Sequence, residues 1–197
     1  MDLLLATSNS HKSREFAALL GPQFTVRDLS SLPALPRIVE SGSTFAENAA
    51  IKALAVSRLS REELVIADDS GLEVDALSGA PGIVSARYAG EQASDSANVE
   101  KLLRELRRVN ARDASARFVC ALAAARGGNI IFSTQTMVAG TIRSAPCGAH
   151  GFGYDPIFVP AGLSETFAEL PAEVKNRISH RARAARELNA FLKAARH

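Results

Sequence analysis

The chain has 197 residues, of which 47% are hydrophobic and 22% charged, with a formal net charge of +2. It can bury a sizeable core as one domain or as two lobes sharing one sheet, with one folding unit expected, and a charge so near balance sets up no field that announces a nucleic acid or membrane partner. No run approaches membrane-spanning length, no basic leader precedes Leu3, and Cys120 and Cys147 stand too far apart for Cys-x-x-Cys or zinc spacing, so a reducing cytoplasm is expected.

Leu3 to Ala6 reads as a buried strand, followed by Thr7-Ser8-Asn9-Ser10-His11-Lys12 and then by Phe16, Leu19 and Leu20 at helical spacing. A strand, a polar loop and a helix in that order present backbone N–H groups and the positive end of a helix dipole, to which Lys12 adds a full charge. The junction is either a phosphate cradle or an N-cap beside a solvated lysine. Gly21-Pro22 ends the helix, Phe24 to Val26 suits a second strand, and residues 30–36 read as an irregular connection.

Thr44 and Glu47 stand at capping-box spacing and open a helix expected to run to about Leu59. Phe45, Ala49 and Val56 make its apolar stripe, and Asn48 and Lys52 fall on or beside it. Lys52 is either snorkelling or reaching a polyanion. Glu40, just before this helix, offers a further oxygen to a metal.

Leu64 to Ala67 suits a short buried strand that stops at Asp68-Asp69-Ser70-Gly71. Acids at a strand end can leave the core while the sheet fixes their backbone, which suits a hard divalent cation and a water; the alternative is a polar turn. After Arg87-Tyr88-Ala89-Gly90, Ser96 opens a helix with Val99, Leu102, Leu103 and Leu106 inward and its charges on a solvated face. Arg117 to Ala125 and Asn129 to Val138 form a hairpin around Gly127-Gly128-Asn129, so a mixed sheet in an α/β protein is expected.

Residues 148–153 hold three glycines, which let backbone approach a ligand. This is no dinucleotide fingerprint, because Pro156 and the apolar Ile157-Phe158-Val159 follow in place of a helix. Phe152 is a stacking platform for a base or a core residue. Beyond it, Ala185, Leu188, Leu192 and Ala195 face inward on a last helix. Between Lys175 and Arg196 seven Lys or Arg face one Glu, either a solvated surface or a nonspecific nucleic-acid contact, and His180 is either packing or a general base.

Together, Thr7-x-Asn9-x-x-Lys12, Thr44-Phe45-x-Glu47-Asn48-Ala49 with Lys52, the block from Asp68 to Ala89, Gly151-Phe152-Gly153-Tyr154-Asp155-Pro156 and Ser179-His180-Arg181 resemble the inosine triphosphate pyrophosphatase family. The resemblance spans nearly the whole chain, taken as a single domain over residues 1–197. It implies a two-lobed α/β fold on a long mixed β-sheet flanked by helices, an active-site cleft between the lobes, a homodimer, and Mg2+-dependent hydrolysis of noncanonical purine nucleoside triphosphates to monophosphate and pyrophosphate. By position, Thr7, Ser8, Asn9, Ser10, His11, Lys12 and Lys52 would hold the triphosphate and Ser70 would contact nucleotide. Glu40 and Asp69 would bind magnesium, with Asp69 also the base that activates water. Phe152, Gly153, Tyr154, Asp155, Lys175, His180 and Arg181 would enclose the base.

Three departures from the family pattern are Ser8 in place of a frequent glycine, Cys147 in place of a basic residue and Gln135-Thr136 in place of Glu-Gly. They touch loop shape and dimer contacts rather than chemistry. The rival readings are a general nucleotide phosphatase that releases orthophosphate, and a nucleic-acid-binding module built on the basic C-terminal helix.

Overall fold

The computed structural model describes residues 1–32 and 38–194. Its strands are β1 (Asp2–Leu5), β2 (Thr25–Asp28), β3 (Leu64–Val74), β4 (Ser115–Arg126), β5 (Asn129–Ile142) and β6 (Phe158–Pro160). The helices are α1 (Ser10–Leu20), α2 (Phe45–Leu59), α3 (Asp95–Arg108), α4 (Ala172–Ile178) and α5 (His180–Ala194). The strands hydrogen-bond in the order β2-β1-β3-β4-β5-β6. β1 is parallel to both β2 and β3, with Leu3 opposite Val26 on one side and Leu64 on the other, whereas β6 is antiparallel to β5. β4 and β5 are joined through Gly127 and Gly128 alone, at φ 57° and 80°. Positive φ at two successive residues is what a tight hairpin turn demands, so the expected hairpin and mixed sheet are both present.

The chain divides into two units. The first comprises the described residues of Met1–Asp69, Cys120–Thr136 and Arg181–His197. Its core joins β1 (Leu3, Leu5), α1 (Phe16, Leu20) and α5 (Ala185, Leu188), so the helical spacing after Lys12 and the inward face of the last helix are as the pattern predicts. Ala195, assigned to that face, and the part of 30–36 beyond Leu32 lie outside the described residues. The second unit comprises Ser70–Val119 and Met137–His180. Its core sets the inward face of α3 (Val99, Leu102, Leu106) against Phe118, Phe158 and Phe167. Phe118 meets Phe158 edge-on, with ring centroids 4.7 Å apart, an arrangement in which one ring's positive edge faces the other's negative face.

The largest departure from the pattern concerns β3. The strand does not stop at Ala67 but continues through Asp68, Asp69, Ser70 and Gly71 to Val74, and the two aspartates are only 2% and 7% exposed. They are therefore neither a polar turn nor exposed strand-end acids. Aspartate is ordinarily disfavoured in strands and in cores, and here cationic side chains from distant helices offset that cost. The other corrections are small. α3 opens one residue early at Asp95 with Ser94 as its cap, β4 and β5 are longer than predicted, and α4 is a separate helix before α5.

Candidate active site

Two groups of side chains, one in each unit, account for most of the residues singled out above. The first centres on Asp68 and Asp69. Lys12, on the first turn of α1, places Nζ 3.0 Å from Asp68 Oδ2. Arg181, in the first turn of α5, donates through Nη1 to Glu15 on α1 and lies 3.5 Å from Asp68 Oδ2 through Nη2. Lys52, on α2, lies 3.1 Å from Asp69 Oδ1 and 3.2 Å from Glu40 Oε1. Asn48, one turn before Lys52 and 2% exposed, donates to Asp69 Oδ2 at 3.3 Å and accepts the Gly42 N–H at 2.8 Å. It ties the segment after Glu40 to the carboxylate it accompanies. The odd placement of Asn48 and Lys52 on an apolar stripe has its explanation here, since both point at buried acid.

Electrostatics separate the two aspartates. Burial alone would raise the Asp68 carboxyl, but Lys12, Arg181 and Lys52 outweigh it and hold Asp68 well below the usual carboxylate range. Burial raises Asp69, and the bonded Lys52 and the charge of Lys12 do not cancel the rise, to which the negative Glu40 adds. Burial also works against the charge of Lys52, yet Asp69, Asp68 and Glu40 together favour its ammonium form. Asp68 is thus a fixed anion that anchors two cations, and Asp69 is the more basic carboxylate of the pair.

The carboxylates of Glu40 and Asp69 have the hard oxygen chemistry that a divalent ion asks for. Glu40 Oε1 and Asp69 Oδ1 converge on one point, lying 3.2 and 3.1 Å from the Lys52 nitrogen, so a metal held by these oxygens would take the place the ammonium now fills. Among the described residues no three His, Cys, Asp or Glu side chains gather into a metal cage. Magnesium does not ask for one; it is commonly held by one or two carboxylates, substrate phosphates and water.

The loop before α1 differs from an open cradle. Asn9 caps the helix, its Oδ1 accepting from the N–H groups of His11 and Lys12 at 2.9 and 3.2 Å, while Thr7 Oγ1 takes the Asn9 N–H at 3.1 Å. These backbone donors are used within the turn, so the junction is a capped helix start rather than a row of bare backbone N–H groups.

The second group lies in 151–155 and α4. Asp155 Oδ2 accepts the Phe152 N–H at 2.9 Å and the Lys175 ammonium at 2.5 Å. Lys175 Nζ also sits 5.2 Å from the centre of the half-buried Phe152 ring. Gly151 has φ 75°, and a Cβ there would stand 2.0 Å from Asp155 Oδ2, so the position requires glycine. His180 is 3% exposed and stacks on Phe118 with centroids 4.8 Å apart, which makes packing its visible role. Tyr154 is 4% exposed and gives its hydroxyl to the Ser85 carbonyl at 2.9 Å. Ser70 follows Asp69 on β3 and is half-buried.

Lys175 and Arg181 are 6% and 2% exposed and engaged with acids, so two of the seven C-terminal basic residues are turned away from any polyanion on the surface. Asn48 and Glu15 are the members of the first group that pattern reading did not assign. Asn48 had a signal in its place on the apolar stripe, whereas Glu15 had none, being 166 residues from its partner.

The sequence profile of the Ham1 family matches residues 3–191. The chain is 48% identical over 192 residues to the dITP/XTP pyrophosphatase of Bacillus licheniformis, covering 97% of each, and 45% identical over 194 residues to that of Bacillus subtilis, covering 98% of each. Among solved structures, it matches the Staphylococcus aureus Ham1 protein with a TM-score of 0.86 and 42% identity over 99% of this chain and 100% of that one.

Proposed function

The chain belongs to the Ham1 family, and from that premise we propose that it hydrolyses noncanonical purine nucleoside triphosphates, the inosine and xanthosine types, to monophosphate and pyrophosphate. The observation that carries this reading is 48% identity to a dITP/XTP pyrophosphatase over 97% of both chains. The paired aspartates with their three cations support it, because a triphosphate needs positive charge and its hydrolysis needs a carboxylate that can take a proton.

In this reading Asp69 is the base. It takes a proton from water as the water oxygen bonds to the α-phosphorus, and the bond from that phosphorus to the oxygen bridging to the β-phosphorus breaks. The electron pair leaves on pyrophosphate, whose charge Lys12 and Lys52 stabilise. Glu40 and Asp69 would hold Mg2+, which supplies charge neutralisation for the phosphates. Asn48 keeps Asp69 and the segment after Glu40 in register. Thr7, Ser8, Asn9, Ser10 and His11 contribute to triphosphate binding and Ser70 contacts the nucleotide. Phe152, Gly153, Asp155 and Lys175 meet the base, with Arg181 as a donor and His180 as packing behind it.

The nucleotide pool served is cytoplasmic, which suits two cysteines that remain free thiols, and no helix among the described residues is long and apolar enough to cross a membrane. The working form is a homodimer, testable by light scattering as twice the 20.9 kDa chain mass. The deciding experiment for the reaction is a panel of dITP, XTP, dGTP and dATP, with pyrophosphate and orthophosphate measured separately and inorganic pyrophosphatase excluded. Pyrophosphate as the primary product from dITP and XTP is expected. Orthophosphate alone would make the protein a general phosphatase.

A further inference from the structure

Position 154 invites assignment to the base site because it stands between Phe152 and Asp155, but its side chain is committed elsewhere. The phenol is buried and its hydroxyl donates to the Ser85 carbonyl at 2.9 Å. Ser85 is itself fixed, its Oγ accepting the Leu72 N–H at 2.9 Å and donating to the Gly82 carbonyl at 2.6 Å. Tyr154 therefore fastens the 152–155 turn to β3 by way of Ser85. A second fastening comes from α3, where Asp95 Oδ2 accepts the Gly153 N–H at 2.6 Å. Asp95 is in the first turn of α3, after the cap Ser94, and the helix's positive end favours its carboxylate as an acceptor. A third is internal, from the Phe152 N–H to Asp155 Oδ2 at 2.9 Å. Three consecutive residues, 152, 153 and 154, are each held by a different partner, which leaves the turn little freedom to reorganise when a ligand arrives.

We propose that Tyr154 and Asp95 are positioning residues that hold the 152–155 turn in the shape in which Phe152 receives a purine, and that Tyr154 itself does not touch nucleotide. This rests on the reading of Phe152 as the base platform. It adds to the nucleotide site Asp95, an exposed helix-start acid far from it in sequence, and moves Tyr154 from contact to support. A turn held by fewer bonds still reaches the same bound shape but spends less time in it, so affinity falls while the chemical step is retained.

The test uses Tyr154→Phe, Asp95→Ala and Asp95→Asn in the full chain, with two readouts: amide hydrogen exchange across 150–156, and kcat and KM for dITP. Tyr154→Phe and Asp95→Ala are expected to speed exchange about tenfold and to raise KM roughly three- to tenfold with kcat within about twofold, the scale of one net hydrogen bond. Asp95→Asn keeps an acceptor oxygen for Gly153 and is expected to restore both readouts towards wild type. Unchanged exchange and KM in both deletions would overturn the proposal, as would a fall in kcat at constant KM. Should Tyr154→Phe fail to fold, the Asp95 pair carries the test by itself, since that side chain is exposed. Wild-type protein inactive on dITP and XTP would defeat the functional reading instead, and the exchange measurement would then decide the positioning claim alone.

Discussion

The Lys52 ammonium lies 3.1 Å from Asp69 Oδ1, and the same nitrogen is 3.2 Å from Glu40 Oε1. One lysine thus faces both carboxylates for which magnesium binding is proposed, and lysine and metal would compete for the same oxygens. Replacing Lys52 by Met removes the competitor. Mg2+ should then bind the nucleotide-free protein roughly three- to tenfold more tightly by calorimetric titration, while kcat falls because the leaving pyrophosphate loses a cation. Unchanged or weaker Mg2+ binding would mean that Glu40 and Asp69 do not form the metal site.

The two aspartates should separate chemistry from stability. Asp69→Asn removes the proposed base and leaves Lys52 its contact with Glu40, so kcat should fall on the order of 10² to 10⁴ with a modest change in melting temperature. Asp68→Asn leaves Lys12 and Arg181 facing a neutral amide in a buried place. It should cost about 3 kcal/mol of stability, the low end for breaking a buried pair, because Arg181 keeps Glu15. Urea titrations and steady-state kinetics on both variants check the division. Near wild-type turnover in Asp69→Asn at saturating Mg2+ would move the base to Asp68 or Glu40.

Depression of the Asp68 carboxyl predicts a pH window. Its folded value lies below the unfolded value of about 3.9, so its contribution is fully present above the unfolded value and is lost as pH falls through the folded one. The stability difference between wild type and Asp68→Asn should therefore be level from pH 7 to about 5 and shrink below about 4. A difference that stays level to pH 3.5 would show that Asp68 is not anchoring charge.

What the amino-acid pattern disclosed, and what it hid, follows from how far apart interacting residues are along the chain. The β4–β5 hairpin and α2 were legible because their signals are local: two glycines between two strand-forming runs, and Thr44 capping the Glu47 N–H. The continuation of β3 through Asp68 and Asp69 was hidden because local propensity argues against acids in a strand. The residues that make it possible, Lys12, Lys52 and Arg181, come from three separate helices. Asp95 was hidden for another reason. An acid in the first turn of a helix satisfies a local rule so well that nothing in the pattern points to Gly153.

Nucleobase choice provides the last prediction. Inosine and xanthosine present a carbonyl at purine carbon six where adenosine presents an amino group, so a site that prefers them must donate a hydrogen bond there. Arg181 is the proposed donor. Burial opposes its charge, but Glu15 and Asp68 outweigh burial, so the guanidinium stays protonated at any working pH. An adenine amino group opposite such a donor leaves it unmatched, at about 1 to 3 kcal/mol or more for a charged group, which corresponds to roughly 10² fold in selectivity. Arg181→Lys keeps a positive charge near Asp68 but loses the planar fork, and one ammonium cannot serve Glu15, Asp68 and a nucleobase oxygen in the same geometry. The variant should therefore stay folded, lose dITP efficiency, and lose more of it than of its weak dATP activity, so that the ratio of kcat/KM values for dITP and dATP falls about tenfold or further. Guanine shares the carbon-six carbonyl, and discrimination against dGTP should be the weaker of the two in wild type and change least in Arg181→Lys. Equal wild-type kcat/KM for dITP and dATP, or a dITP-to-dATP ratio unaltered in a folded Arg181→Lys, would remove Arg181 from base recognition and leave it as the anchor between α1 and Asp68.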